Sequence, residues 1–126
     1  MKIKSSSSKK SIRVKYTNSR DLYESGKLAY EWAVGLMKII TKISNKYQKS
    51  KPLANFRLGL CLHITKETSV LLMAAKALGA QISICSANPL SIQTEVIEFL
   101  KYSFLLGSFF ANIFISLYLK NSTTSA

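Results

Sequence analysis

The stretch RLGLCLHITKETSVLLMAAKALGAQISICS, residues 57–86, decides the fold class of this chain of 126 residues. Residues 57–62 and 81–86 are short and apolar, as β-strands are. Between them, Thr65 is a suitable helix N-cap, Glu67 favours the positive end of the helix dipole, and Gly79 follows the last predicted helical residue. A strand, a helix and a strand joined by tight connections form a βαβ unit with parallel strands. The sequence therefore predicts an α/β fold.

A long amphipathic helix is predicted before this unit. Asp21 and Glu24 have the spacing of a capping box. The Lys51-Pro52 pair predicts an end near Ser50, because the residue before a proline is disfavoured in helical geometry. Apolar residues recur at helical spacing at Leu28, Trp32, Leu36, Ile39, Ile43 and Tyr47. We interpret the central four, Trp32 to Ile43, as a stripe that faces the core.

The chain after the second strand divides into two parts. Ser91 is predicted to cap a further helix that runs through Val96 and Leu100. Residues 102–119 then carry no charge and are just long enough for a membrane-spanning helix, and on length alone a buried or interfacial helix is equally open. We treat residues 102–126 as an apolar tail that is separate from the domain.

Positive charge is concentrated at the front of the chain. The sequence has 18 basic and 6 acidic residues, a formal net charge of +12. Residues 1–20 hold no acidic residue and a run of serines, a composition that cannot bury a core, so we predict a disordered basic arm there. The positive charges of this arm are not followed by the apolar stretch that a secretory signal peptide requires.

The two cysteines, Cys61 and Cys85, lie singly in apolar segments without metal-ligand spacing. They are predicted to be packed thiols in a reducing compartment, which favours a cytoplasmic location. Association with a membrane through residues 102–119 is the alternative location. No metal site is predicted.

Polar side chains follow both predicted strands. Ligands of parallel sheets bind beyond the carboxyl ends of the strands. Residues 63–68 supply an imidazole, hydroxyls and a carboxylate, and residues 86–91 add an amide and a hydroxyl, a set that suits a purine or a ribose. Thr65 and Ser91 are equally explained as helix caps, and Glu67 by the helix dipole.

These two segments resemble the S-adenosylhomocysteine hydrolase (adenosylhomocysteinase) family. The resemblance begins at residues 25–28 and 31–33, continues through 51–53, 61–68 and 78–80, and reaches residues 88–91 and Gln93. It implies that residues 21–101 are the first part of a substrate-binding domain. The implied fold is an incomplete Rossmann-like parallel sheet in the order helix, strand, helix, strand, helix. Since such a sheet leaves an edge exposed, we expect marginal stability and self-association through it.

The resemblance also implies a ligand and a set of residues that bind it. The family reversibly hydrolyses S-adenosyl-L-homocysteine to adenosine and L-homocysteine with bound NAD. Glu67 and Thr65 would face the adenine, and His63 would lie near the ribose and the thioether. The full implied substrate-binding set is His63, Thr65, Glu67, Thr68, Asn88, Ser91 and Gln93.

The sequence also departs from the family pattern. Where the family has Ser-Thr-Gln-Asp, this chain has Ser91-Ile92-Gln93-Thr94. The resemblance ends near Leu100, the family's later acidic and lysine positions have no counterpart, and no Gly-rich turn is present to receive a pyrophosphate. We therefore expect a truncated, inactive chain without catalytic residues or bound NAD, its tail the product of a frameshift. Adenosine or S-adenosylhomocysteine would bind weakly at most.

Two other classes of function are weighed against this one. Residues 102–119 could anchor a small membrane-associated protein. Residues 1–20 could bind nucleic acid or lipid electrostatically, but no recognition motif accompanies them, so a solvated arm is favoured and no specific nucleic-acid partner is expected. The truncated adenosylhomocysteinase-like domain is the favoured interpretation.

Overall fold

The structure is a computed structural model that describes residues 18–105. Its elements, in chain order, are α1 (Ser19–Leu36), α2 (Lys38–Tyr47), β1 (Arg57–Leu62), α3 (Lys66–Ala77), β2 (Gln81–Ser86), a 3₁₀ turn (Pro89–Ser91) and α4 (Thr94–Leu105). The predicted α/β class and the bounds of both strands are confirmed.

The two strands form a parallel pair. Arg57 lies opposite Gln81, and the register continues to Leu62 opposite Ser86, so both strands end at the same level. One face of this sheet packs against the helices: Ile82 and Ile84 of β2 are buried there, and Leu58 and Leu60 of β1 are partly buried. The other face, which includes Gly59 and Ser83, is exposed.

The crossover helix α3 has the predicted caps. Thr65 precedes it in extended geometry, and its hydroxyl and that of Thr68 form a reciprocal capping box. Gly79 follows the helix with φ of 100°, a left-handed conformation that glycine adopts without strain.

The core lies between the buried face of the sheet and the helices. Its buried residues are Ile64, Leu72, Ala80, Ile82, Ile84, Val96, Ile97, Phe99, Leu100 and Phe104. α1 packs mainly against α4 and also against α3, and α2 packs against α3. Aromatic rings join α1 to α4: the Phe99 ring lies 4.8 Å from the ring of Tyr30 and 6.1 Å from that of Tyr23, between centroids.

The helix predicted before the βαβ unit differs in its start and its continuity. Its N-cap is Asn18, whose Oδ1 accepts a hydrogen bond from the Asp21 N–H at 2.9 Å. The predicted capping box was therefore wrong, since Asp21 already lies in the first turn. The helix is also interrupted at Met37, with φ of −94° and ψ of 55°, and its second part ends at Tyr47 rather than near Ser50.

The predicted core-facing stripe of this helix was wrong as well. Three of its four members, Trp32, Leu36 and Ile39, are more than half exposed, and the fourth, Ile43, is 47% exposed. The buried residues of α1 are instead Gly26 and Ala33, and at Gly26 α4 approaches so closely that no side chain fits. The large apolar residues are left on a different face, turned away from the core.

The last described helix begins later than predicted. α4 starts at Thr94, and Ser91 lies in the preceding 3₁₀ turn, so Ser91 does not cap the helix. Asn88 caps that turn, with its Oδ1 accepting a hydrogen bond from the Leu90 N–H at 2.9 Å. α4 continues to Leu105, and residues 106–126 of the predicted tail, like residues 1–17 of the predicted arm, lie outside the described residues. Between residues 18 and 105, no helix is long and apolar enough to span a membrane.

Candidate functional site

The candidate site lies where the two parallel strands end. The loop after β1 and the loop after β2 are held together by backbone hydrogen bonds, from Ala87 N–H to the Leu62 carbonyl at 3.2 Å and from Gln93 N–H to the Ile64 carbonyl at 3.0 Å. The predicted site residues on these loops are therefore neighbours in space, as the parallel topology requires.

His63 and Ser91 are in direct contact across this junction. The His63 Nδ1 lies 2.5 Å from the Ser91 Oγ, and that hydroxyl also donates to the Asn88 carbonyl at 2.9 Å. A serine hydroxyl has one proton to donate. With that proton assigned to the Asn88 carbonyl, Nδ1 of a neutral imidazole is assigned as the donor to Ser91, which leaves the lone pair on Nε2. The exposed ring therefore presents a hydrogen-bond acceptor, which is also the atom that a general base uses.

Thr65 and Thr68 hold the loop that carries His63. The Thr68 Oγ1 accepts a hydrogen bond from the Thr65 N–H at 2.9 Å and lies 2.8 Å from the His63 carbonyl oxygen. The Thr65 Oγ1 accepts from the Thr68 N–H at 3.5 Å. Both hydroxyls are engaged with the backbone, so their first effect is to position His63 at the start of α3.

Glu67 brings a negative charge to the site. Its side chain is about half exposed, and its Oε1 lies 3.2 Å from the Lys66 Nζ. The pKa of Glu67 is lowered from its ordinary value, chiefly by a hydrogen bond from its own backbone N–H. Burial is the second cause and acts the other way, and Thr65 and Lys66 lower the pKa further. The carboxylate is therefore ionised at neutral pH and acts as an acceptor.

Asn88 and Gln93 use their amide oxygens within the protein. The Asn88 Oδ1 caps the 3₁₀ turn, and the Gln93 Oε1 accepts from the Lys66 N–H at 2.9 Å. Gln93 thereby joins the two loops through both its side chain and its backbone. Each residue retains its side-chain NH₂ group as the donor that a ligand can use.

Lys66 is a member of the site that was not predicted from the sequence. Its Nζ lies 5.0 Å from the centroid of the Trp32 ring, besides its ion pair with Glu67. A lysine at the first position of a helix opposes the helix dipole, and this unfavourable placement was the signal available in the sequence.

The arrangement offers hydrogen-bonding groups to a neutral polar ligand. It combines an imidazole acceptor, a carboxylate acceptor and amide donors on an exposed edge. No group of three metal-ligating side chains occurs in the part of the chain that the structure describes. A nucleoside, with donors and acceptors on both base and sugar, fits this set.

The chain is similar in sequence to known proteins. A family model of S-adenosyl-L-homocysteine hydrolase matches residues 16–103. The S-inosyl-L-homocysteine hydrolase of Methanosarcina acetivorans is 42% identical over 77 residues, which cover 61% of this chain and 19% of that protein. The adenosylhomocysteinase of Sulfolobus acidocaldarius is 43% identical over 75 residues, 60% of this chain and 18% of that protein. That of Gloeobacter violaceus is 35% identical over 86 residues, 68% of this chain and 20% of that protein.

The match to the family model extends over the candidate site, from α1 into α4. The chain spans about a fifth of the length of the curated relatives it matches. The family model covers well over half of the chain and includes both strand-end loops. The chain belongs to the S-adenosyl-L-homocysteine hydrolase family.

Proposed function

We propose that the two strand-end loops bind the nucleoside part of S-adenosyl-L-homocysteine or of a close relative. The observation that carries the proposal is the contact between His63 and Ser91, which are 28 positions apart and meet only at the strand ends. Such a junction is where α/β sheets bind ligands. Family membership supports a purine nucleoside thioether as the ligand class.

Each site residue has a role in this proposal. The His63 Nε2 accepts a hydrogen bond from a ribose hydroxyl, and the Glu67 carboxylate accepts one from a donor on the purine. Thr65 lies beside Glu67 at the base, and Thr68 positions the His63 loop. The side-chain NH₂ groups of Asn88 and Gln93 donate to ligand oxygens from the second loop, and Ser91 orients the imidazole.

The identity of the purine is the open specificity question. The relatives' names include both adenosyl and inosyl substrates. Adenine offers an exocyclic amine, and hypoxanthine offers a ring N–H, so a carboxylate can accept from either. We propose adenosine as the nucleoside, with inosine as the necessary comparison.

The described turns do not fit NAD. A dinucleotide pyrophosphate requires a glycine-rich turn between a strand and a helix, so that the backbone can approach the phosphates. The described connections, residues 63–65 and 87–93, contain no glycine. We therefore propose that this chain of 126 residues binds the nucleoside without NAD, and that hydrolysis requires residues beyond it.

The sheet is proposed to belong to a larger, Rossmann-like parallel sheet. Parallel sheets are normally covered on both faces, whereas only one face of the β1–β2 pair is buried among the described residues. A cytoplasmic location is part of the proposal, since Cys61 and Cys85 are free thiols.

The test is a titration of the labelled protein with adenosine, inosine and S-adenosylhomocysteine, followed by amide chemical shifts. We expect shifts at His63, Glu67 and Ser91 at millimolar adenosine, and no release of adenosine from S-adenosylhomocysteine. Ser91→Ala should weaken binding by about three- to tenfold, the loss typical of one hydrogen bond.

The matched control is Ser83→Ala, a serine on the exposed face of β2 away from the strand ends. It should bind like the unmodified protein. Adenosine and S-adenosylhomocysteine that leave every site resonance unchanged at millimolar concentration would refute the proposal.

A further inference from the structure

α1 and α2 both carry exposed apolar side chains, which we call together the α1–α2 face. Its members are Leu28, Trp32, Leu36, Ile39, Ile43 and Tyr47, all of them exposed. Within α2, Ile39, Ile43 and Tyr47 follow one another at four-residue spacing, so they lie along one side of the helix. Exposed apolar residues that cluster in this way mark an interaction surface, whereas scattered ones do not.

A row of lysines lies beside this face. Lys38, Lys42 and Lys46 each come directly before an apolar member of the face, and Lys49 follows in the turn after α2. All four are exposed, and among residues 18–105 none of them forms an ion pair with a carboxylate. The sequence contains no acidic residue from position 32 to position 66. The surface therefore combines apolar side chains with positive charge that no described acid neutralises.

α2 can present this surface without leaving the fold. Its opposite side packs against α3, so the exposed side is already turned outward in the folded chain. A short helix with an apolar side, a lysine-rich flank and no acidic residue has the composition of helices that lie in the interface of a bilayer.

We propose that the α1–α2 face binds the surface of an anionic phospholipid bilayer. Ile39, Ile43 and Leu36 insert at the level of the headgroups, and the lysine row contacts lipid phosphates and carboxylates. Trp32 and Tyr47 have the amphipathic rings that favour this depth. The contact is peripheral and uses only residues of the described fold.

Charge distinguishes this occupant from the others. Residues 106–119 of the same chain are apolar but contain no acidic residue, so they would leave the lysine row unpaired. A second copy would bring the same lysines face to face, which is repulsive. Nucleic acid would neutralise the lysines but leave the isoleucines exposed to water. An anionic bilayer pairs the lysines with its headgroups and removes the isoleucines from water.

The experiment uses Trp32, the sole tryptophan of the chain and a member of the face. The full chain is titrated with vesicles of phosphatidylcholine alone and of phosphatidylcholine with phosphatidylserine, and Trp32 emission, acrylamide quenching and vesicle flotation are followed. We expect a blue shift, reduced quenching and flotation with the anionic vesicles only, and weaker binding at high salt.

Two pairs of variants identify the surface responsible. Ile39→Ser with Ile43→Ser should reduce partitioning by at least about tenfold, and the control Leu90→Ser, at a position 93% exposed elsewhere, should not change it. Lys42→Gln with Lys46→Gln should reduce binding to anionic vesicles, whereas Arg20→Gln with Arg57→Gln removes equal charge away from the face and should have a smaller effect.

Four results would overturn the proposal. One is the absence of any emission change with anionic vesicles, which needs no variant to interpret. Another is binding that survives the isoleucine substitutions, which would assign it to residues 1–17. A third is Trp32 emission that is already blue-shifted and shielded from acrylamide without lipid. Dilution would then reverse the shift if a second copy covers the face, but not if residues 106–119 of the same chain cover it. The fourth is a Trp32 response to duplex DNA and none to vesicles.

Discussion

Gly26 of α1 lies directly against the backbone of Glu95 in α4. A Cβ atom at position 26 would lie 2.6 Å from the Glu95 carbonyl carbon and 2.9 Å from the Phe99 Cβ, closer than real Cβ atoms approach. Two helices can pack this closely only where one of them has no side chain.

Gly26→Ala is therefore expected to destabilise the fold. Either α1 or α4 must move to admit the methyl group, and overpacking of this kind costs about 1–3 kcal/mol. Urea unfolding followed by circular dichroism measures the change in the free energy of unfolding.

Gly35→Ala is the matched control for that substitution. Gly35 lies in the same helix, and a Cβ there meets nothing within 4 Å. Alanine should raise the free energy of unfolding by about 0.5–1 kcal/mol through helix propensity. Equal effects of the two substitutions would contradict the close packing of α1 on α4.

Truncation of two helical isoleucines should change the free energy of unfolding by very different amounts. Ile97 in α4 is 1% exposed, and Ile97→Ala should lower the free energy of unfolding by about 2–5 kcal/mol. Ile39 in α2 is 76% exposed, and Ile39→Ala should change it by no more than about 0.5 kcal/mol. A large loss for Ile39→Ala in the urea transition would show that the α1–α2 face is buried after all.

The hydrogen bond from His63 to Ser91 should fix the tautomer of the imidazole. His63 is the only histidine of the chain, so its ring nitrogens can be assigned without ambiguity by ¹⁵N NMR. In mildly alkaline buffer the proton is expected on Nδ1. Ser91→Ala removes the acceptor and should shift the population towards the Nε2–H form that free imidazole side chains prefer. A ring already in that form in the unmodified protein would contradict the assigned donor.

The Cys85 thiol should react with iodoacetamide more slowly at neutral pH than an ordinary thiol does. Its pKa is raised chiefly by a hydrogen bond with the Cys61 thiol and further by burial, so less thiolate is present at a given pH. Cys61→Ala removes the larger cause. The pKa of Cys85 should then fall towards its ordinary value, and alkylation at neutral pH should become severalfold faster.

Peptide mass mapping after timed alkylation gives that rate. Ser83→Ala is the control, since it changes a side chain on the same strand and face without touching either thiol. Faster labelling of Cys85 in the control would mean that access, and not the pKa, limits the reaction.

Local signals in the sequence determined the βαβ unit. The limits of both strands depend on short apolar segments, and those of α3 depend on Thr65 and Gly79, whose effects are confined to neighbouring residues. Parallel pairing then follows from the short connections, which allow one crossover. The proximity of the two strand-end loops was predictable for the same reason.

Tertiary structure alone decided which side of α1 and α2 is buried. The larger apolar side chains at helical spacing, from Leu28 to Tyr47, lie on the exposed side of these helices. The buried residues of α1 are the small Gly26 and Ala33. For α1 the choice depends on the approach of α4 at Gly26, and for α2 it depends on packing against α3, so both depend on residues far apart in the chain. No periodicity within one helix contains that information.

The same distinction applies to the site. Residue types and order indicated which side chains would gather at the strand ends, because a parallel register brings them there. Three features depend instead on distances across the two loops. They are the contact of His63 with Ser91, the tautomer assigned from it, and the hydrogen bond from the Lys66 N–H to the Gln93 oxygen. The sequence by itself determined which polar groups are available at the strand ends. The packing of the loops decided which of their donor and acceptor atoms remain for a ligand, because each hydrogen bond made within the protein occupies a donor and an acceptor.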